Sequence, residues 1–287
     1  MKIAHILLTY TDPLQTERMV SRLQHEDSDF FVQLDRKIPL SSHQNLRNYR
    51  NVYFIQERVD VKWGGYSMLQ SIFNALQEVL LSGVRYDFIN LLSGQDYPLK
   101  SASYIQEFLS RHGNRNFLSM RHFDTEWRDA RLRIDRYHMT DYGFRGRYLV
   151  ERTINLLLPK RKCPLKLDYF GGSMFWTISP EAAAYVLGFV DRNPAFRRFL
   201  RFTWSPSEFV FQTVLMNSDF RTTIERDDLM ESYYPQGSAR PKFYTSEDLE
   251  ELKSSSKLFA RKFNIAVDPH VLDKIDAWTS NGNMQTA

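Results

Sequence analysis

Over roughly the first 110 residues, short apolar runs alternate with helical patterns, and few folds other than an α/β sheet accommodate that alternation. Ile3 to Leu8 predicts a strand. The turn Thr9-Tyr10-Thr11-Asp12-Pro13 then opens a helix, with Asp12 as its cap and Pro13 at its first position. Leu14, Met19, Val20 and Leu23 are the expected apolar face of that helix. Phe30 to Leu34 predicts a second strand and Val52 to Ile55 a short third one. Leu69, Ile72, Phe73, Leu76, Val79 and Leu80 recur at helical spacing between Tyr66 and Leu81. Next comes the apolar run Phe88 to Leu92, closed by Ser93-Gly94-Gln95-Asp96-Tyr97-Pro98, where Pro98 stops the strand. Ser103 is the expected cap of a helix through Leu109. Loops beyond the carboxyl ends of parallel strands are where open α/β sheets bind ligands, so the Ser93–Pro98 turn is a candidate site; an ordinary strand exit with an Asx turn at Asp96 is the alternative.

The pattern loosens after residue 114. Phe117 to Met120 predicts a strand, but residues 121–166 read as an irregular, arginine-rich insertion with a short helix at Ile154 to Leu158. Order returns with the turn and strand of Tyr169 to Ile178, and with a helix capped by Ser179-Pro180-Glu181 and running through Val190. Ser205-Pro206 predicts another helix start, with Glu208 in its first turn and Phe209, Phe211, Val214 and Leu215 continuing it. Thr245 or Ser246 caps a helix through Leu252, and residues 269–287 are expected to fray. No repeat or inter-domain linker interrupts the 287 residues, which predicts a single domain.

Composition narrows the function classes. A net charge of +4 suits an anionic ligand or membrane headgroups but is too mild for nucleic acid without a basic stripe. Aromatics at 14% offer surfaces for stacking on sugars or bases, or simply a core rich in rings. The single Cys163 excludes an intramolecular disulfide and a cysteine zinc site, and the histidines do not fall at zinc-protease spacing. With no signal-peptide pattern and no apolar run near the ~18 residues of a spanning helix, the expected location is cytoplasmic or peripheral to the inner face of a membrane. P-loop, dinucleotide-binding and Gly-x-Ser-x-Gly motifs are absent. An Asp-x-Asp motif after an apolar strand commonly holds the metal in sugar-nucleotide transferases. Here that spelling occurs at Asp27-Ser28-Asp29, before a strand, and reads as a chance match in a loop.

Several strings together resemble one family. They are Leu7-Leu8-Thr9-Tyr10-Thr11-Asp12-Pro13, Val32-Gln33-Leu34-Asp35-Arg36-Lys37, Val61-Lys62-Trp63-Gly64-Gly65, Leu91 to Lys100, Gly171-Gly172-Ser173, Trp204-Ser205-Pro206-Ser207-Glu208 and Leu258 to Phe263. In order and in type they resemble the core-2/I-branching β-1,6-N-acetylglucosaminyltransferases and the related peptide O-xylosyltransferases, particularly short bacterial members. The resemblance implies a GT-A-like α/β fold, a Rossmann-like mixed sheet flanked by helices. It also implies inverting, metal-independent transfer of GlcNAc or xylose from UDP-GlcNAc or UDP-xylose to a hydroxyl of a glycan or protein. No cofactor is expected, since the UDP-sugar is a co-substrate. A non-catalytic glycan-binding or scaffold protein on the same fold is the alternative.

The resemblance also assigns residues. Glu208 is the implied base, in Ser-Pro-Ser-Glu where the family has Ser-Pro-Asp-Glu. At a helix N-terminus its pKa would be lowered, an effect that apolar neighbours such as Trp204 would have to offset. The departing diphosphate is implied to meet Lys262, with Arg261 beside it, and either Arg240 or Lys242. Alignment on Pro241 favours Lys242, while the bidentate fork favours arginine. Leu7 and Asp35 fall on nucleotide-binding positions at strand ends, and Trp63, Ser93, Gly94, Asp96, Gly172 and Ser173 fall in the donor pocket. Glu126, Arg133, Arg136, Tyr233 and Tyr234 are the acceptor-side candidates.

Overall fold

The computed structural model describes residues 1–10, 12–238 and 240–281. Strand β1 (Ile3–Thr9) leads into helix α1 (Pro13–Arg22), and β2 (Ser28–Leu34) and β3 (Val52–Phe54) precede α2 (Tyr66–Leu81) and β4 (Phe88–Ser93). Asp12 caps α1 as its sequence predicts, its Oδ1 accepting the Leu14 N–H at 2.8 Å. β1 pairs in parallel with β2 and with β4, and β2 with β3. Both faces of β1 and β2 are covered, which is why they read as unbroken apolar runs rather than alternating ones. Thr9 lies opposite Leu34, and Leu8 opposite Ser93, so the ends of these three strands open onto one edge of the sheet.

Beyond β4 the chain forms β5 (Asp96–Pro98), α3 (Ala102–Arg111), β6 (Asn116–Leu118), β7 (Arg121–His122), α4 (Arg131–Asp135), α5 (Arg147–Leu157), β8 (Phe170–Gly171) and β9 (Trp176–Ile178). It continues with α6 (Pro180–Arg192), α7 (Pro194–Leu200), α8 (Val210–Met216), β10 (Ile224–Glu225), β11 (Met230–Ser232), α9 (Leu249–Ser254), β12 (Phe259–Arg261) and α10 (Val271–Asn281). β9 runs antiparallel to β4 and to β6, giving the seven-stranded mixed order β10-β6-β9-β4-β1-β2-β3. The fold is therefore the expected α/β class. A contiguous buried core reaches from Ile3 to Ile275.

Six sequence expectations need correction. The Ser93–Pro98 turn is only half a loop, because Asp96–Pro98 forms β5 in a second sheet ordered β11-β12-β5. Pro98 is tolerated there because β5 is an edge strand and Pro98 its last residue. Ser101, not Ser103, caps α3. Leu14 is 63% exposed; α1 buries Gln15 and Thr16 in its place, since the Gln15 amide donates to the carbonyls of Gly94 and Phe263. Asp29 lies within β2 rather than in a loop, buried against the Tyr86 hydroxyl and Lys2. Finally, residues 121–166 contain β7, α4 and α5, and the segment expected to fray forms α10, where Val271, Leu272 and Ile275 are fully buried. Residues 282–287 of that segment lie outside the described residues.

Candidate active site

Glu208 sits on a tightly fixed turn. Sequence predicts one helix from Ser205-Pro206 onward, but the chain makes a single 3-10 turn at Pro206–Glu208, and α8 starts only after Phe209. Two backbone bonds from other segments hold its ends. The Ser205 N–H donates to the Gly64 carbonyl at 2.7 Å, and the Gly172 N–H donates to the Glu208 carbonyl at 2.8 Å. Ser205 pays a strain cost for this, with φ at +47°. Glycine pairs permit the approach. A Cβ on Gly64 would stand 2.5 Å from Trp204 Nε1, one on Gly171 2.8 Å from the Glu208 carbonyl, and one on Gly172 2.5 Å from the Ser119 carbonyl.

This geometry overturns the expected electrostatics of Glu208. The residue ends a 3-10 turn just before Phe209, the N-cap of α8, instead of lying in the first turn of that helix. Burial raises its pKa, with Arg133 the main opposing influence and Arg261 and Ser205 weaker ones. Its side chain retains 26% exposure, enough to meet a ligand. Arg133 Nη1 lies 2.9 Å from Glu208 Oε2, and its guanidinium is stacked between Trp127 and Trp204, 4.6 and 4.4 Å from their ring centres.

A second wall is built on β12 and is fixed by the Ser93–Pro98 segment. The Phe263 N–H donates to the Gln95 carbonyl at 2.8 Å, and Gln15 links Gly94 to Phe263 and Ile265. Asp96 is fully buried, accepts from the Ser93 N–H and hydroxyl, and lies 3.4 Å from Arg261 Nε. Burial raises its pKa while Arg261 and Ser93 oppose the shift. Lys262 Nζ stands over Phe243, and Arg240 over Trp63. Burial, then Arg261 and Arg240, lower the Lys262 pKa, so three cations crowd one another here. Lys242 is differently placed: its ammonium is 2.7 Å from Asp248 and 3.8 Å from Glu251.

The Core-2/I-Branching enzyme family model matches residues 3–254. The chain belongs to the core-2/I-branching enzyme family. Its mixed α/β sheet is of the α/β class that the sequence implies. Similar curated proteins include xylosyltransferase 2 of Canis lupus familiaris, 25% identical over 96% of this chain and 33% of that protein. Xylosyltransferase 1 of Mus musculus is 24% identical over 98% of this chain and 31% of that protein. The chain thus spans about a third of the length of the curated relatives it matches. Among solved structures, apo mouse xyloside xylosyltransferase 1 is 11% identical over 90% of this chain and 97% of that one, with a TM-score of 0.44.

The other family-matched positions divide. Asp35 follows the end of β2, buried and paired with Lys37 at 2.9 Å. Leu7, expected at a strand end, lies inside β1 with its side chain fully buried. Gly172 and Ser173, implied for the donor pocket, lie beside the Glu208 turn and α8: the Gly172 N–H donates to the Glu208 carbonyl, and the Ser173 carbonyl accepts from Gln212 at 2.7 Å. Of the acceptor-side candidates, Arg133 meets Glu208, whereas Glu126 is exposed beside Arg226 and Arg136 is exposed. Tyr234 is half exposed; its hydroxyl pKa is raised by burial and feels both Arg261 and Glu208. Tyr233 lies beside Lys242.

Gln15, Trp127 and Asp228 carry no signal in the sequence. Burial pushes the Asp228 carboxyl up to about 6, against a hydrogen bond from Ser173. No local pattern marks Asp228, since what makes it distinctive is a contact with a residue fifty-five positions away. Among the described residues no group of three or more His, Cys, Asp or Glu is gathered as a metal site.

Proposed function

We propose that this chain is an inverting, metal-independent glycosyltransferase that moves GlcNAc or xylose from its UDP-sugar to a hydroxyl of a glycan or protein. The observation that carries the reading is the pair of cations Arg240 and Lys262, which lack carboxylate partners among the described residues. Lys262 is also held near two other cations. Such crowding is unfavourable alone and is relieved by a polyanion such as a diphosphate.

In the proposed reaction the Glu208 carboxylate takes the proton of the acceptor hydroxyl as its oxygen attacks the anomeric carbon. The bond from that carbon to the diphosphate breaks on the opposite side, and the electron pair leaves with UDP. Lys262 and Arg240 stabilise the growing negative charge without reorganising. A raised pKa makes Glu208 a stronger base than a solvated carboxylate, provided it is ionised at the working pH. Arg240 supports the second-cation role better than Lys242, which is already neutralised by Asp248. The names of the relatives favour xylose as one candidate donor.

A panel of UDP-sugars in EDTA, with UDP release as the readout, tests this. Release in EDTA with UDP-GlcNAc or UDP-xylose is expected. Release that requires added Mg²⁺ or Mn²⁺ would overturn the metal-free step. Calorimetric binding of a glycan without affinity for UDP would replace the transferase reading with a binding protein.

A further inference from the structure

Helix α5 has its polar side turned inward. Asn155 Oδ1 accepts the Tyr137 N–H at 2.8 Å, its Nδ2 donates to the Tyr137 carbonyl at 2.8 Å, and Glu151 Oε2 accepts the Met139 N–H at 2.8 Å. None of its residues is buried. Facing outward are Tyr148, Leu149, Leu156 and Leu157, with 75%, 70%, 80% and 74% of their surface exposed. Positions 149, 152, 153, 156 and 157 share one face at helical spacing, so the leucines form a stripe with Arg152 within it. A surface helix bathed in water has the opposite arrangement. Leu158 and Phe144, also exposed, extend the apolar area at both ends.

The charge around this face is equally one-sided. Between Phe144 and Lys166 there are seven Lys or Arg residues against Glu151 alone, a local formal charge of +6 in a chain whose total is +4. Lys160 is 3.9 Å from Asp135, while Arg145, Arg152 and Lys162 are exposed and have no carboxylate within ion-pair distance among the described residues.

We propose that the α5 face docks on an anionic lipid bilayer, with the leucines in the acyl boundary and the flanking cations among the headgroups. A second copy of the chain is a poor occupant, because a two-fold contact through α5 would bring the exposed Arg145, Arg152 and Lys162 of one copy against those of the other. No described helix is long and apolar enough to cross a membrane, so contact through the described residues is peripheral. The proposal is independent of the transferase reading.

Flotation with vesicles of phosphatidylcholine alone, or mixed with phosphatidylglycerol, is the test. The wild-type chain should partition at least about tenfold more strongly onto the anionic vesicles, and the triple variant Leu149→Glu/Leu156→Glu/Leu157→Glu should lose that binding. Its melting temperature should be unchanged, since none of these side chains is buried; if it does not fold, Leu156→Ser replaces it. Equal binding of variant and wild type, no preference for anionic vesicles, or no binding at all would overturn the proposal. A lipid-free wild-type dimer that the same substitutions dissociate would assign the face to a second copy instead.

Discussion

The two walls of the candidate site are held in opposite ways. Around Glu208 every element has a protein partner: its carbonyl meets Gly172, its carboxylate meets Arg133, and the preceding turn is tied to Gly64. Around Lys262 and Arg240 the cations have no carboxylate of their own among the described residues, and they repel each other. The acidic wall is complete as it stands, whereas the basic wall becomes so only with an anion. Substitutions on the first should therefore act on chemistry or stability, and those on the second on ligand binding together with turnover.

Glu208→Gln breaks the comparison most directly. It preserves shape and removes the base, so kcat should fall by about 10²–10⁴-fold while calorimetry finds UDP affinity unchanged. Retained turnover would place the base elsewhere. On the other wall, Lys262→Ala and Arg240→Ala should each lower kcat by about 10²–10³-fold and weaken UDP binding as well. Lys242→Ala should change turnover far less, because Asp248 already holds that ammonium. A larger loss for Lys242→Ala than for Arg240→Ala would reverse the assignment of the second cation.

Sequence reading went furthest where the determinants are local. The span of α2 and the caps Asp12 and Ser179 follow from spacing and from a few adjacent side chains, and they stand as expected. It failed where a distant segment decides. Ser205-Pro206 is a good helix start by any local rule, yet Gly64 and Gly172 clamp the two ends of the turn and leave a 3-10 turn with a break at Phe209. The pKa direction at Glu208 also differs from the expected lowering by a helix dipole, since burial raises it. Gly171-Gly172 was legible as a motif but not as the surface against which the Glu208 turn is packed. The inward polar side of α5 also has no local signal, because Tyr137 and Met139 satisfy it.

That clamp supplies a stability test of the acidic wall. Gly172→Ala places a Cβ 2.5 Å from the Ser119 carbonyl, where backbone must move, and should cost about 1–3 kcal/mol in a urea melt. Gly143 has open space around its Cβ position and no left-handed φ, so Gly143→Ala should leave stability nearly unchanged. If the two variants melt alike, the glycine contact does not hold the turn.

The finest test separates the tuning of the base from its presence. The folded pKa of Glu208 is raised, so activity should fall as pH drops through that value, above the ordinary carboxylate range. Arg133 is the strongest influence opposing the rise. Arg133→Gln should leave burial less opposed, raise the pKa further and move the acid limb of kcat/KM towards neutral pH. Arg133→Lys retains the charge and should hold the limb close to that of the wild type, despite losing the planar stack between Trp127 and Trp204. Stability should run the opposite way with pH from activity. A carboxyl with a raised folded pKa binds more protons folded than unfolded, so its stabilising contribution is full below the unfolded pKa and is lost as pH rises through the folded one. The Arg133→Gln variant should therefore be destabilised more at neutral pH than in acid. An acid limb that stays in place in Arg133→Gln would mean that the ion pair does not tune the base, and that the two walls differ less than their contacts suggest.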